Sequence, residues 1–69
     1  MQPLPAKKII RILEKHGFVL SRQRGSHQIF VSDTNTTVVV PSHGGNKRLP
    51  IGTFLSIVKQ SRLPKESWK

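Results

Sequence analysis

The sequence predicts an α+β domain of order α-β-β-β-α, a three-stranded antiparallel sheet with both helices on one of its faces. Three observations predict it. Apolar stripes at helical spacing lie near both ends of the chain. Three short runs rich in β-branched or aromatic residues stand between them. Only a few turn residues separate these runs, too few for a parallel crossover, so the strands form a meander.

Taken in order, Ala6, Ile9, Ile10 and Leu13 fall at i, i+3, i+4 and i+7 and mark a first helix over about residues 5–16. Pro5 suits a first helical turn, and Gly17 suits a left-handed cap after the last. Lys7, Lys8, Arg11, Glu14 and Lys15 occupy the other side. Phe18–Arg22 reads as a strand, Gln23-Arg24-Gly25-Ser26 as a tight turn, and His27–Ser32 as the second strand. After the turn residues Asp33-Thr34-Asn35, Thr36–Val40 is the third strand, which Pro41 stops. Ser42–Arg48 is a polar loop. Ile51, Phe54, Leu55 and Val58 repeat the helical stripe and mark a second helix over about 50–60. In the tail, Pro64 opens a short helical turn ending near Trp68. With one apolar stripe per helix and one sheet face to cover, both helices pack on the same side. The other sheet face stays open. This is the layout of double-stranded-RNA-binding domains.

The chain of 69 residues is room for one domain, spanning 1–69. At this size folding buries only roughly 60% of the unfolded chain's surface, so good packing or a partner must supply the rest. Cysteine is absent, which removes disulfides and thiolate-bound zinc from the possibilities. No stretch approaches the ~20 apolar residues of a membrane span, and the N-terminus lacks a secretory apolar run. A cytoplasmic protein without a membrane partner is expected.

Charge is the most informative part of the composition. Lys and Arg number 12 against three acids, for a net charge of +9. Self-repulsion on this scale opposes compactness and points to a polyanionic partner. The cations are spread along the chain, which indicates a basic folded face rather than a basic tail. Lys7, Lys8, Arg11 and Lys15 are either a solvated helix surface or a track for phosphates.

The three acids, Glu14, Asp33 and Glu66, are scattered, whereas a two-metal nuclease gathers several oxygen ligands around ions ~4 Å apart. Gly44-Gly45-Asn46-Lys47 lacks the spacing of a nucleotide-binding loop. No metal, cofactor or small-molecule ligand is expected. Histidine remains. RNA carries its own nucleophile, the ribose 2′-hydroxyl, and an imidazole of pKa ~6.5 can exchange its proton near neutrality. Cationic side chains then stabilise the phosphorane. His27 follows Arg22, Arg24, Gly25 and Ser26, which offer two guanidiniums, close backbone approach and a hydroxyl. His27 is either this catalytic group or an ordinary strand residue beside a solvated hairpin. His43, near Lys47 and Arg48, is either a second site residue or a loop histidine satisfied by backbone. His16, beside Gly17, caps a helix end. Phe18 and Phe54 read as core, Phe30 points away from His27, and Trp68 packs the tail on the body.

Gly25-Ser26-His27-Gln28-Ile29-Phe30, Val39-Val40-Pro41-Ser42-His43 and the Leu49–Gln60 helix with Gly52-Thr53 near its start together resemble the HicA-type toxins, mRNA interferases of bacterial toxin–antitoxin pairs. The resemblance runs from Ala6 to about Trp68. It implies a fold like a double-stranded-RNA-binding domain, metal-independent cleavage of mRNA with His27 essential, and a structural or substrate-positioning role for His43. It also implies a HicB-type antitoxin that masks the active surface, which an acidic partner surface would complement. Two other readings account for charge and fold without catalysis. One is an RNA-binding module, and the other a basic face that docks an acidic protein. DNA reading by a helix-turn-helix fits poorly, because three strands separate the helices.

Overall fold

A computed structural model describes residues 3–41 and 48–68. The first helix, α1, is Ala6–Lys15. Pro5 precedes it as an extended N-cap, and its carbonyl accepts from the Lys8 and Ile9 amides at 3.0 and 3.2 Å. At the other end Gly17, at φ 89°, reverses the chain in a Schellman motif. The Phe18 amide donates to the Leu13 carbonyl at 2.9 Å, and the Gly17 amide to Glu14 at 3.2 Å. His16 Nδ1–H donates to the Ile12 carbonyl at 2.8 Å, the capping role expected of it. These bonds also delay the first strand. With its amide committed to the helix cap, Phe18 is buried but lies outside the ladder, and β1 is Val19–Arg24.

Strand β2 is His27–Val31 and β3 is Thr37–Pro41, giving an antiparallel sheet in the order β1-β2-β3. Only Gly25 and Ser26 join the first two strands, fewer than the four turn residues expected. Gly25, at φ 58°, takes the first position of this hairpin turn, where a glycine is favoured. Pro41 is not outside β3 but is its last residue, opposite His27. It is tolerated there because β3 is an edge strand.

Opposed residues in an antiparallel pair share a face. Phe30 pairs with Val38 and Gln28 with Val40, and this side is the core side. Ala6, Ile9 and Leu13 of α1 pack onto it. So do Phe54, Ile57 and Val58 of the second helix, α2 (Ile51–Ser61). Both helices therefore cover one face and the other is open, the arrangement the apolar stripes required.

One stripe was read in the wrong phase. Ile51 and Leu55 are 48% and 46% exposed, while Ile57 and Ser61 are buried beside Phe54 and Val58. The sequence holds two overlapping stripes that share Phe54 and Val58. The buried one is 54, 57, 58, 61. Gln60 holds this phase from the flank: its Oε1 accepts from the Val39 amide at 3.2 Å, tying α2 to the outer edge of β3. Beyond α2, Arg62 closes the helix at φ 60°. A 3₁₀ turn over Lys65–Trp68 then returns Trp68 to the core, edge-on to Phe54 with ring centroids 6.0 Å apart. The tail thus packs on the body as expected. Among the described residues, no helix is long and apolar enough to cross a membrane.

Candidate active site

The open face of the sheet is assembled by register. His27 and Ile29 point outward from β2, because Phe30 and Gln28 point inward. Opposite His27 stand Arg24 on β1 and Pro41 on β3. Opposite Ile29 stand Arg22 and Val39. Directly opposed Cα atoms in such ladders lie ~4.5–5.5 Å apart, so Arg24 is an immediate neighbour of His27 and Arg22 is its diagonal one. All three side chains are exposed.

A β-bulge makes this grouping compatible with the core. The ladder shifts between Leu20 and Arg22, leaving Ser21 as the extra residue. Leu20 opposes Phe30 and so lies on the helix-bearing side of the sheet, where it is 48% exposed beyond the core, and simple alternation from Leu20 would turn Arg22 and Arg24 to that side as well. The extra residue reverses that phase and puts both guanidiniums beside His27. The sequence reading named the arginines but missed this device. A signal for it was available. Counting back from a two-residue turn sets Ser21 against Phe30, a hydroxyl against a core aromatic. Counting from the core sets Leu20 there. The two counts differ by one residue, which is the signature of a bulge.

Gly25 and Ser26 form the exposed tip next to these residues, so Arg22, Arg24, Gly25, Ser26 and His27 are brought together as one cluster. Arg48 is placed differently. It bridges Pro5, and its side chain reaches the Pro3 carbonyl at 3.5 Å, so its described contacts are with the N-terminal segment. His43 and Lys47 lie outside the described residues. Among the described residues, no three His, Cys, Asp or Glu side chains gather as metal ligands.

Chemically, the open face offers an imidazole beside two guanidiniums of β1, a surface suited to a phosphodiester rather than to a cation or an apolar ligand. Fold and face together define a small basic α+β protein with an anion-facing sheet. The family model described as the HicA toxin of bacterial toxin–antitoxin matches residues 6–63, which takes in both helices and all three strands. The chain belongs to the HicA toxin family. It is thereby the toxin of a toxin–antitoxin pair, and an antitoxin is its partner. The match stops short of Trp68. None of the curated proteins matches the chain.

Proposed function

We propose that this toxin is a metal-independent endoribonuclease acting on messenger RNA, with His27 at the reacting atoms and a HicB-type antitoxin as its inhibitor. One observation carries the reading: an exposed imidazole on an open sheet face, with Arg24 directly across and Arg22 on the diagonal. In the reaction, a ring nitrogen of His27 takes the proton of a ribose 2′-hydroxyl while the 2′-oxygen bonds to the adjacent phosphorus. The two guanidiniums stabilise the charge that builds on the non-bridging oxygens. The bond from phosphorus to the 5′-oxygen breaks, and that oxygen gains a proton from a second donor, either water or a lysine, an arginine or His43. The products are a 2′,3′-cyclic phosphate and a 5′-hydroxyl end. DNA lacks the nucleophile and is not a substrate. Gly25 and Ser26, beside His27, supply further contacts to the RNA backbone, Lys47 adds another, and Arg48, held against the N-terminal segment, meets RNA outside that cluster.

General base catalysis contributes about 10²–10⁴-fold, so His27→Ala should lose at least about a hundredfold in cleavage rate. The test is RNA cleavage in chelator by wild type and His27→Ala, with circular dichroism to verify that both are folded. Cleavage by a folded His27→Ala protein at the wild-type rate would remove His27 from the mechanism. Binding without cleavage by the wild type would leave a non-catalytic RNA-binding module.

A further inference from the structure

The reaction at His27 leaves the most cationic helix of the chain without a task. Lys7, Lys8, Arg11 and Lys15 of α1 are all exposed, on the side opposite Ala6, Ile9 and Leu13. At about 3.6 residues per turn, the four fall within a sector roughly 100° wide. Lys7, Arg11 and Lys15 follow one another at four-residue steps, each about 6 Å of axial rise. Glu14, the helix's single acid, stands at the margin of this strip.

The helix bears this strip against its own interest. Like charges at i, i+3 and i, i+4 repel, as Lys8 and Arg11, Lys7 and Arg11, and Arg11 and Lys15 do. Lys7 and Lys8 also lie in the first turn, where the helix dipole favours anions. That turn holds no acid, and Pro5 provides no side-chain cap. Placement this unfavourable for the isolated helix is compensated when an external polyanion lies along it. Beside the strip is a groove of about 310 Å³ whose floor is Leu4 and Ile12 and whose rim is Lys8 and Arg11. A single RNA strand matches both features, with evenly spaced phosphates for the cations and a flat unstacked base for the apolar floor.

We propose that the exposed face of α1 is a second, non-catalytic binding site for single-stranded RNA. The inference rests on RNA being the substrate at His27. Because α1 packs on the core side of the sheet and His27 faces away from it, the strip holds a different stretch of RNA from the one being cut. It lengthens the stay of RNA on the protein without touching the reacting atoms.

The test uses the full chain carrying His27→Ala, so that the RNA stays intact, with Lys7→Gln, Arg11→Gln and Lys15→Gln added together. Binding of a short unstructured single-stranded RNA is followed by fluorescence anisotropy across a salt series. With about 0.7 in slope per phosphate on single strands, losing three contacts should flatten the plot of log affinity against log salt by about 2. The melting temperature should stay the same or rise, since like-charge repulsion is relieved. A pair that keeps the charge, Lys7→Arg with Lys15→Arg, should keep the slope. An unchanged slope in the triple variant, while the parent still binds, overturns the second site alone. A parent that binds no RNA at low salt overturns the RNA reading of the whole chain and the strip with it.

Discussion

Replacing Trp68 with alanine should cost this protein a large share of its stability. Trp68 is 1% exposed and meets Phe54 edge-on, so the 3₁₀ turn that carries it is held in place by the core. Truncating a buried tryptophan costs about 3–5 kcal/mol, within which an edge-to-face aromatic pair accounts for ~0.5–1.5 kcal/mol beyond area burial. One term works in the opposite direction. Among the described residues, Trp68 Nε1 is buried without a hydrogen-bond partner, and removing it offsets about 1 kcal/mol of that loss. The net expectation is about 2–4 kcal/mol. At roughly 0.05–0.15 kcal/mol per residue, a chain of this length has about 3–10 kcal/mol in total. Trp68→Ala therefore removes a substantial fraction, which for so small a chain corresponds to at least ~8 °C in Tm. Trp68→Phe retains an aromatic ring and relieves the unpaired N–H, so it should lose less than Trp68→Ala. The assay is urea unfolding followed by circular dichroism, because Trp68 is the chain's single tryptophan and fluorescence would vanish with it. A Trp68→Ala loss below ~1 kcal/mol would refute the reasoning, since it would mean the last turn adds nothing to the core.

Three further expectations concern the sheet and α2. Gly25→Ala forces a methyl group into φ 58°, which should cost about 1–2 kcal/mol in urea unfolding and weaken the proposed RNA cleavage by loosening the hairpin; an equally stable variant would contradict the turn geometry. Gln60→Ala frees the Val39 amide at the β3 edge, costing about 0.5–1.5 kcal/mol, and hydrogen exchange at that amide should accelerate. The double change Ile51→Gln, Leu55→Gln should alter stability by no more than about 1 kcal/mol, whereas Phe54→Ala should cost about 3–5 kcal/mol; equal losses in the two melts would restore the rejected stripe.

The parts of the fold legible in the sequence were those set by local chemistry. Gly17 announced the end of α1, Gly25 the hairpin and Pro64 the last turn, because each residue limits the backbone whatever surrounds it. Ala6, Ile9, Ile10 and Leu13 gave the core-facing side of α1, on which Ile10 is partly buried and the other three fully so. In α2 the residues Ile51, Phe54, Leu55, Ile57 and Val58 are apolar on too wide an arc. The phase is set by tertiary packing, which buries Ile57 and Ser61 rather than Ile51 and Leu55 and ties Gln60 to the Val39 amide. The candidate site shows the same division. That Arg22, Arg24 and His27 are close follows from their places around a short turn. That they share one face while Leu20 lies on the other depends on Ser21 standing outside the ladder, a property of the paired strands and not of either one. Ile29, Val39 and Pro41 escaped notice as neighbours of His27 because cross-strand partners are named only once register is known.

On the mechanism proposed above, the separation of the sheet's two sides has a consequence for how this toxin can be disarmed. Arg22, Arg24 and His27 project from a surface that contributes nothing to the interior, so changing them leaves the packed residues undisturbed. Such a copy still folds and still competes for any partner that reads its outline. A change at Phe30, Val38 or Phe54 works by another route, because it acts through the fraction of molecules that remain folded. On the proposed mechanism, silent decoys and vanished copies are thus distinct kinds of loss, and β2 alone carries a residue of each kind, His27 on one face and Phe30 on the other.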